Sequence, residues 1–185
     1  AHRSLGSSSL LVSTYDQREH SSLRLKLIDF GFATTAALLT PEETSAALRQ
    51  VSLNPMDVLP LLTLYDLHGL GYVLLDLVLA SLCSSPNDVP GAKDELAAAG
   101  ARSPPELQSL KRLVEDVFQD DVEGGFRDYC LEEPGWGPAV EFLDENDRGG
   151  WTLIQQLIDC HTTEALGRVT AQGLLDSPWL RLGGR

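Results

Sequence analysis

Basic residues are scarce in this 185-residue chain, where 14 Lys and Arg stand against 27 Asp and Glu for a net charge of −13. The deficit is concentrated in residues 104–147, which hold 13 acids and only 3 bases. A nucleic-acid partner is not expected, because binding to a phosphate backbone needs clustered Lys and Arg. The acidic region 104–147 is expected to be a solvated surface or a docking surface for a basic protein.

Cysteine is also rare. Cys83, Cys130 and Cys160 form no CxxC pair and no even-numbered framework, which favours reduced, mostly buried thiols. The four histidines have no spacing typical of a zinc site. The chain has no N-glycosylation acceptor and no secretory signal at Ala1, so an intracellular protein is expected. No cofactor is expected either.

One apolar run, residues 58–83, is long enough to cross a membrane. However, Asp66, His68 and Asp76 fall inside it, and each Asp near a bilayer centre costs about 2.5–3.5 kcal/mol. The run is therefore predicted to be a buried core helix at about Tyr65–Leu82. No transmembrane span is expected, and any membrane association should be peripheral.

The rest of the chain predicts a few strands followed by many helices. Apolar runs at residues 8–13 and 23–28 favour two strands joined by a loop. Residues 121–150 read as irregular and acidic. Further helices are predicted after the N-cap Thr40, from Pro104 with Ser103 as N-cap, at Trp151–Cys160, and at residues 170–175 with Thr170 as N-cap.

A motif near the start of the chain points to a known family. Residues 25–33 read LKLIDFGFA, and residues 2–12 read HRSLGSSSLLV. They resemble the Asp-Phe-Gly segment of protein kinases and, upstream of it, their catalytic loop His-Arg-Asp-Leu-Lys-Pro-x-Asn-Leu-Leu. The resemblance implies that Asp29 stands where kinases bind magnesium, and that Phe30 packs into the core.

Three differences from the kinase pattern fall on the residues that carry its chemistry. Ser4 replaces the catalytic Asp, Gly6 replaces the Lys, and Ser9 replaces the Asn that binds a second magnesium. Since no residue precedes Ala1 in this sequence, a glycine-rich loop and a strand lysine are also expected to be missing. Phosphoryl transfer depends on positioning and charge stabilisation, so no catalysis is expected. Asp29 is expected to keep at most a residual affinity for a metal ion.

The resemblance continues to the end of the chain and implies several structural residues. The pattern around Asp66 resembles the kinase helix whose Asp bonds the backbone of the His-Arg turn, here at His2. Asp57 stands where kinases carry the acid of Ala-Pro-Glu, and Arg168 begins the closing Arg-Val-Thr-Ala pattern. We therefore expect Asp66 to be buried against that turn, and Arg168 to lie near Asp57.

A narrower resemblance involves residues 142–154. Phe142-Leu143-Asp144 and the run from Gly150 to Ile154 are similar to a segment of the plastid thylakoid kinases that act in state transitions. This resemblance implies a chloroplast protein associated with thylakoids.

The predicted architecture is a predominantly α, protein-kinase C-lobe-like domain with a short β-hairpin at its N-terminal end. One domain, residues 1–185, is expected to contain four parts: a degenerate catalytic loop and Asp-Phe-Gly segment (1–33), an activation-segment equivalent and core helix (34–83), a linker or insertion (84–104), and a helical subdomain (105–185). A normal kinase lobe is covered on its upper face, so an apolar surface near Leu11, Ile28 and Phe30 should bind a partner.

Two functions remain open at this point. The first is a non-catalytic, pseudokinase-like scaffold, assembly or linker subunit of a larger complex, and the narrower resemblance implies a photosynthetic one. The second is a C-terminal fragment of a serine/threonine kinase homologue that retains some nucleotide or metal binding.

Overall fold

The structure is a computed structural model that describes residues 1–16, 19–45, 55–83 and 103–182. Within these ranges the chain is mostly helical, with one antiparallel hairpin near the N-terminus. The predicted linker lies outside the described residues except for its last two positions, and so do residues 46–50 of the helix predicted after Thr40. That helix begins as expected, because the Thr40 hydroxyl accepts a hydrogen bond from the Glu43 amide while the Glu43 carboxylate accepts one from the Thr40 amide.

The hairpin consists of β1 (Leu10–Asp16) and β2 (Glu19–Leu27). In its register Leu10 pairs with Leu27 and Val12 with Leu25, and an irregularity follows Val12. The two strands pack mainly on each other rather than on the helices. The prediction of two strands is confirmed, although both extend further towards the connecting turn than their apolar runs.

The central helix α1 spans Val58–Leu82. It begins seven residues before the predicted start, since Pro60 lies in the first turn, where a backbone N–H has no helical partner to lose. Leu75 and Leu79 are buried in the core. Among the described helices, α1 alone is long and apolar enough to cross a membrane. Its main packing partner is the helix α4 described below.

The C-terminal part of the chain is more helical than the sequence predicted. They are α2 (Leu107–Arg112), α3 (Arg127–Glu132), α4 (Gly137–Ile158), α5 (Ala171–Leu175) and α6 (Pro178–Leu182), with π-helical turns at Leu113–Val117 and Val122–Phe126. The prediction that residues 121–150 are irregular is wrong. The glycines and acids that indicated a loop are accommodated instead, because the Asp121 carboxylate caps the backbone amides of Gly124 and Gly125.

Two predicted helix starts have different outcomes. The helix expected from Pro104 starts at Leu107, so Ser103 is not its N-cap. The helix expected after Thr170 is α5, and the Thr170 hydroxyl accepts a hydrogen bond from the Gly173 amide at 3.0 Å. The second prediction is confirmed because a side-chain cap acts within one turn and needs no tertiary contact.

Helix α4 is interrupted in its middle. Residues 146–148 all have left-handed backbone, with φ of 58°, 59° and 62°. Each such residue costs about 1–2 kcal/mol. The interruption brings Gly150 against Leu143, so close that a Cβ at position 150 would lie 2.9 Å from the Leu143 Cα. Burial of Leu143 and Trp151 offsets the strain.

All three cysteines are free, and Cys130 and Cys160 are buried. Burial raises the pKa of Cys160 to about 11 and that of Cys83 to about 12. The prediction of reduced, mostly buried thiols is confirmed, and the raised pKa values keep these two thiols protonated at neutral pH.

Two glycines inside α1 allow other parts of the chain to approach closely. A Cβ at Gly69 would lie 2.6 Å from the carbonyl oxygen of Leu5, and one at Gly71 would lie 2.9 Å from the Cβ of Leu157. Gly69 therefore brings the N-terminal turn onto α1, and Gly71 brings α4 onto it.

We expect Gly69→Ala to lower the free energy of unfolding by about 1–3 kcal/mol, since the added methyl must displace backbone rather than a flexible side chain. Chemical denaturation would measure it. Gly137→Ala, at the start of α4 with open space around the new methyl, is the matched control and should not destabilise the fold. Equal stabilities of the two variants would contradict the close approach of Leu5.

Candidate functional site

The candidate site contains the N-terminal turn at residues 2–9, and one carboxylate of α1 holds this turn in place. Asp66 is 8% exposed and accepts hydrogen bonds from the backbone amides of His2, at 2.5 Å, and Arg3, at 2.7 Å. Arg3 has a left-handed backbone, with φ of 68°. The expected contact between Asp66 and the His2–Arg3 turn is confirmed. It positions the turn and compensates the strain at Arg3.

His2 connects this turn to the Asp-Phe-Gly segment. It is buried, and its Nε2 lies 2.8 Å from the carbonyl oxygen of Ile28. Because a carbonyl only accepts, Nε2 carries the proton in this bond. The His2 ring also packs edge-on against Phe30, with centroids 5.0 Å apart. The two motifs recognised in the sequence are therefore in direct contact.

The expectation that Phe30 packs into the core is wrong. Phe30 is 58% exposed, because it lies in a short 3₁₀ turn (Phe30–Phe32) beyond the end of β2. Among the described residues, the His2 ring is its aromatic neighbour.

The three positions that depart from the kinase pattern lie close together. The Ser9 hydroxyl donates to the Ser4 carbonyl oxygen at 2.6 Å and accepts from the Gly6 amide at 3.3 Å. Ser9 is buried, so its hydroxyl holds the turn in shape. Ser4 lines a cleft of about 390 Å³ that also contains Arg3, Lys111 and His68.

Asp29 is exposed and adopts a left-handed backbone, with φ of 62°. Within the part of the chain that the structure describes, no group of three or more His, Cys, Asp or Glu is arranged to hold a metal ion. A single carboxylate is a weak magnesium ligand. The residual metal role of Asp29 therefore stays a prediction.

Arg168 lies in a segment that reaches the start of α1, since Gly167 and Val169 line the same cavity as Leu59. Asp57 immediately precedes α1, and Arg168 is exposed in the turn after Gly167, which has φ of 74°. Their expected pairing stays a prediction.

The N-terminal apolar surface contains the residues expected to bind a partner. Leu11, Ile28 and Phe30 are all exposed. Further exposed apolar residues of the hairpin and of the segment that follows it are Val12, Leu25, Leu27, Phe32 and Leu38. Such a concentration of exposed apolar side chains is typical of an interaction surface.

The acidic region 104–147 is partly paired within itself. Arg127 binds Asp144 through two hydrogen bonds, of 2.8 and 2.7 Å. These bonds hold the pKa of the Asp144 carboxyl below its usual value. Lys111 lies 3.4 Å from Glu115, one turn along the chain. Since the region contains only three bases, most of its acids are left for solvent or a partner.

His68 and His161 form a pair beside the cleft that Ser4 lines, and no sequence pattern indicated this pair. Nδ1 of His68 and Nδ1 of His161 lie 2.6 and 2.8 Å from the same acceptor, the carbonyl oxygen of Ile158. The two rings are 4.9 Å apart. Only the packing of α1 on α4 brings together residues that are 93 positions apart, so spacing could not have revealed them.

Asp66→Ala should lower the free energy of unfolding by several kcal/mol, because it leaves two backbone amides without their acceptor, at about 1–3 kcal/mol each. Asp76→Ala is the matched control on the same helix. Burial alone raises the pKa of Asp76, so its removal should be neutral or stabilising. Chemical denaturation of both variants tests this, and a neutral Asp66→Ala would refute the structural role of the contact.

The stability of the folded chain should depend on pH through His68. The pKa of His68 is lowered, chiefly because burial disfavours the imidazolium, and the bond to Ile158 only partly opposes this. The unfolded chain therefore binds a proton at higher pH than the folded chain. Stability should fall as pH drops below about 6.5, the ordinary pKa of His. His68→Asn, which keeps a donor near Nδ1, should weaken this dependence. An unchanged pH profile of the variant would contradict the assignment.

Comparison of the chain with protein-family models, with curated proteins and with solved structures finds no match. The resemblance to protein kinases therefore depends on the motifs in the sequence. The contacts of Asp66, His2 and Ile28 are the structural observations that accompany it.

Proposed function

We propose that this chain is a non-catalytic, pseudokinase-like module of kinase C-lobe type that works by contact, as a scaffold or assembly subunit of a larger complex. The observation that carries the proposal is a contrast within residues 2–9. Asp66 fixes the backbone of the turn, while Ser4, Gly6 and Ser9 stand where phosphoryl transfer needs a base, a cation and a metal ligand.

The chemistry of these side chains supports an inactive site. A serine hydroxyl at position 4 is not a base at neutral pH, and Gly6 has no charge to stabilise a transferring phosphoryl group. The Ser9 hydroxyl is already bonded to Ser4 and Gly6. The fold can therefore be retained while its catalytic groups are absent, and the chain's function is to bind.

Two surfaces support a binding role with different physical behaviour. The N-terminal apolar surface would bind through burial, which salt does not screen. The acidic region 104–147 would attract a basic patch, and that attraction weakens as the Debye length falls from about 10 Å at 0.1 M salt to about 3 Å at 1 M. We propose that the apolar surface holds the partner and that the acidic region orients it.

The proposed setting follows from the narrower resemblance at residues 142–154. It supports a peripheral subunit of a thylakoid complex in the chloroplast. The alternative function is residual nucleotide or metal binding, for which Asp29 would be the essential group.

We expect no transfer of labelled phosphate to peptide or to the chain itself, and no rise in melting temperature with millimolar ATP and magnesium. A ligand at 1,000 times its Kd would add about 4 kcal/mol to stability. Phosphate transfer or a rise of several degrees, either of them abolished by Asp29→Ala, would establish the alternative.

Replacing both Leu11 and Phe30 by Glu should remove the partner recovered by gentle crosslinking from the native source, at 0.1 M and at 1 M salt alike. Met56→Glu with Leu77→Glu is the matched control, since both residues are exposed apolar positions outside the N-terminal apolar surface and the acidic region. Circular dichroism checks that both double variants fold. Recovery of the same partner by both variants, or a monodisperse monomer with no partner, would count against the proposal.

A further inference from the structure

The carbonyl oxygen of Ile158, at the C-terminal end of α4, has two histidine donors. Nδ1 of His68 lies 2.6 Å from it, and Nδ1 of His161 lies 2.8 Å from it. The last carbonyls of a helix have no partner within the helix, and a carbonyl oxygen has two lone pairs. The two rings therefore occupy both acceptor positions of one carbonyl at a helix end.

The shared acceptor determines the tautomer of both rings. A carbonyl only accepts, so the proton of each neutral ring is on Nδ1, and Nε2 carries a lone pair. Nε2 of His68 lies 3.9 Å from Oε1 of Glu115, and Nε2 of His161 lies 3.8 Å from Oδ2 of Asp120. Both distances are too long for a hydrogen bond. Each Nε2 can donate to its carboxylate only after the ring has taken up a second proton.

The two rings are too close for both to be charged at once. Their centroids are 4.9 Å apart. At an effective dielectric constant of about 20, two unit charges at such a distance shift each other's protonation by roughly two pH units. Burial lowers the pKa of His68 most, and the nearby His161 lowers it further. Protons should therefore enter this pair in two separate steps.

Other charged groups around the pair already have partners. Asp66 accepts from two backbone amides, Lys111 on α2 lies 3.4 Å from Glu115, and the Asp159 carboxylate after α4 accepts from Gln155. Arg3, which lines the same cleft as His68, is bonded to Glu43. Of the acids that face the two free nitrogens, Asp120 is therefore the one without a cation beside it among the described contacts.

The Asp120 carboxylate is held in place opposite His161. The Tyr72 hydroxyl donates to its Oδ1 at 3.2 Å, and Gln155 Nε2 donates to the Asp120 backbone carbonyl at 2.8 Å. Asp120 has a left-handed backbone, with φ of 65°, in the turn between the two π-helical turns. Its Oδ2 is the oxygen that faces Nε2 of His161.

We propose that His161 and Asp120 form a pH-dependent ion pair, which closes when His161 takes up a proton while its neighbour His68 stays neutral. The side chain of His161 is 38% exposed and that of His68 only 12%, so solvent stabilises a charge on His161 better. A cation at the C-terminal end of a helix is also favoured by the helix dipole. Closure would join the turn at Asp120 to the end of α4 on acidification. The inference is independent of the proposed function, because every group involved belongs to this chain.

Long-range ¹H–¹⁵N NMR spectra of the imidazole nitrogens test the geometry first. At about pH 8, above the ordinary pKa of His, both rings should be neutral and protonated on Nδ1. A ring of either residue protonated on Nε2 would not donate to Ile158, and this result would overturn the proposal.

Titration followed in the same spectra tests the coupling. His161→Phe keeps a ring beside His68 but removes the charge, so it should raise the titration midpoint of His68 by roughly one to two pH units. His161→Asn is smaller and should act in the same direction if the larger ring disturbs packing. Thr163→Asn, at an exposed position two residues further on, is the matched control and should leave the midpoint unchanged. A midpoint of His68 that neither His161 variant moves would overturn the proposal.

Asp120→Asn tests the partner of the proton. It keeps an acceptor for Tyr72 but removes the charge, so His161 should take up its proton at a pH lower by roughly half a unit or more. Asp116→Asn is the matched control, because it makes the same change at an exposed position nearby in the sequence, and should have little effect. An equal effect of the two variants, or protonation of His68 before His161 in the wild type, would overturn the proposal.

Discussion

The hydrogen bonds from the His2 and Arg3 amides to Asp66 are the contact on which the N-terminal half of the site depends. They join residues more than sixty positions apart and hold a left-handed Arg3 in place. His2, fixed in this way, reaches the Ile28 carbonyl and the Phe30 ring. A carboxylate in an apolar helix is costly unless it is paired with donors, and here the donors are the turn itself.

The central helix organises the rest of the chain in the same way. Its apolar faces bind α4 and the N-terminal turn, and its two glycines remove the side chains that would keep these partners away. By helix propensity alone these glycines weaken the helix. In the folded chain the loss in helix propensity, about 1 kcal/mol for each, is offset by closer packing.

The proposed binding function is supported by the difference between the part of the site that is held in place and the surfaces that are left exposed. The turn that resembles a catalytic loop is fixed by Asp66, yet its side chains at positions 4, 6 and 9 offer no base, cation or metal ligand. The hairpin end and one face of α1 leave apolar area exposed in the described residues. Exposed apolar surfaces of this kind are typical of interaction sites, which is why a binding role is proposed.

Some features could be predicted from the sequence because their signals are local or chemically unusual. Apolar runs predicted the strands, and Thr40 and Thr170 predicted helix starts through their own side chains. The resemblance to kinases added the partner of Asp66, which periodicity could not provide.

Other features were decided only by the tertiary structure. The Asp121 cap and the burial of Trp151 convert an acidic, glycine-containing stretch into helices, because burial outweighs weak local propensity. Packing of α1 on α4 brings His68 and His161 to one carbonyl, and between α1, α4 and the short helices α5 and α6 it leaves a groove lined only by leucine and alanine. The sequence by itself determined which segments are apolar enough to be buried. Only the folded chain decided which of their faces remain uncovered, because coverage depends on contacts between residues far apart in the sequence.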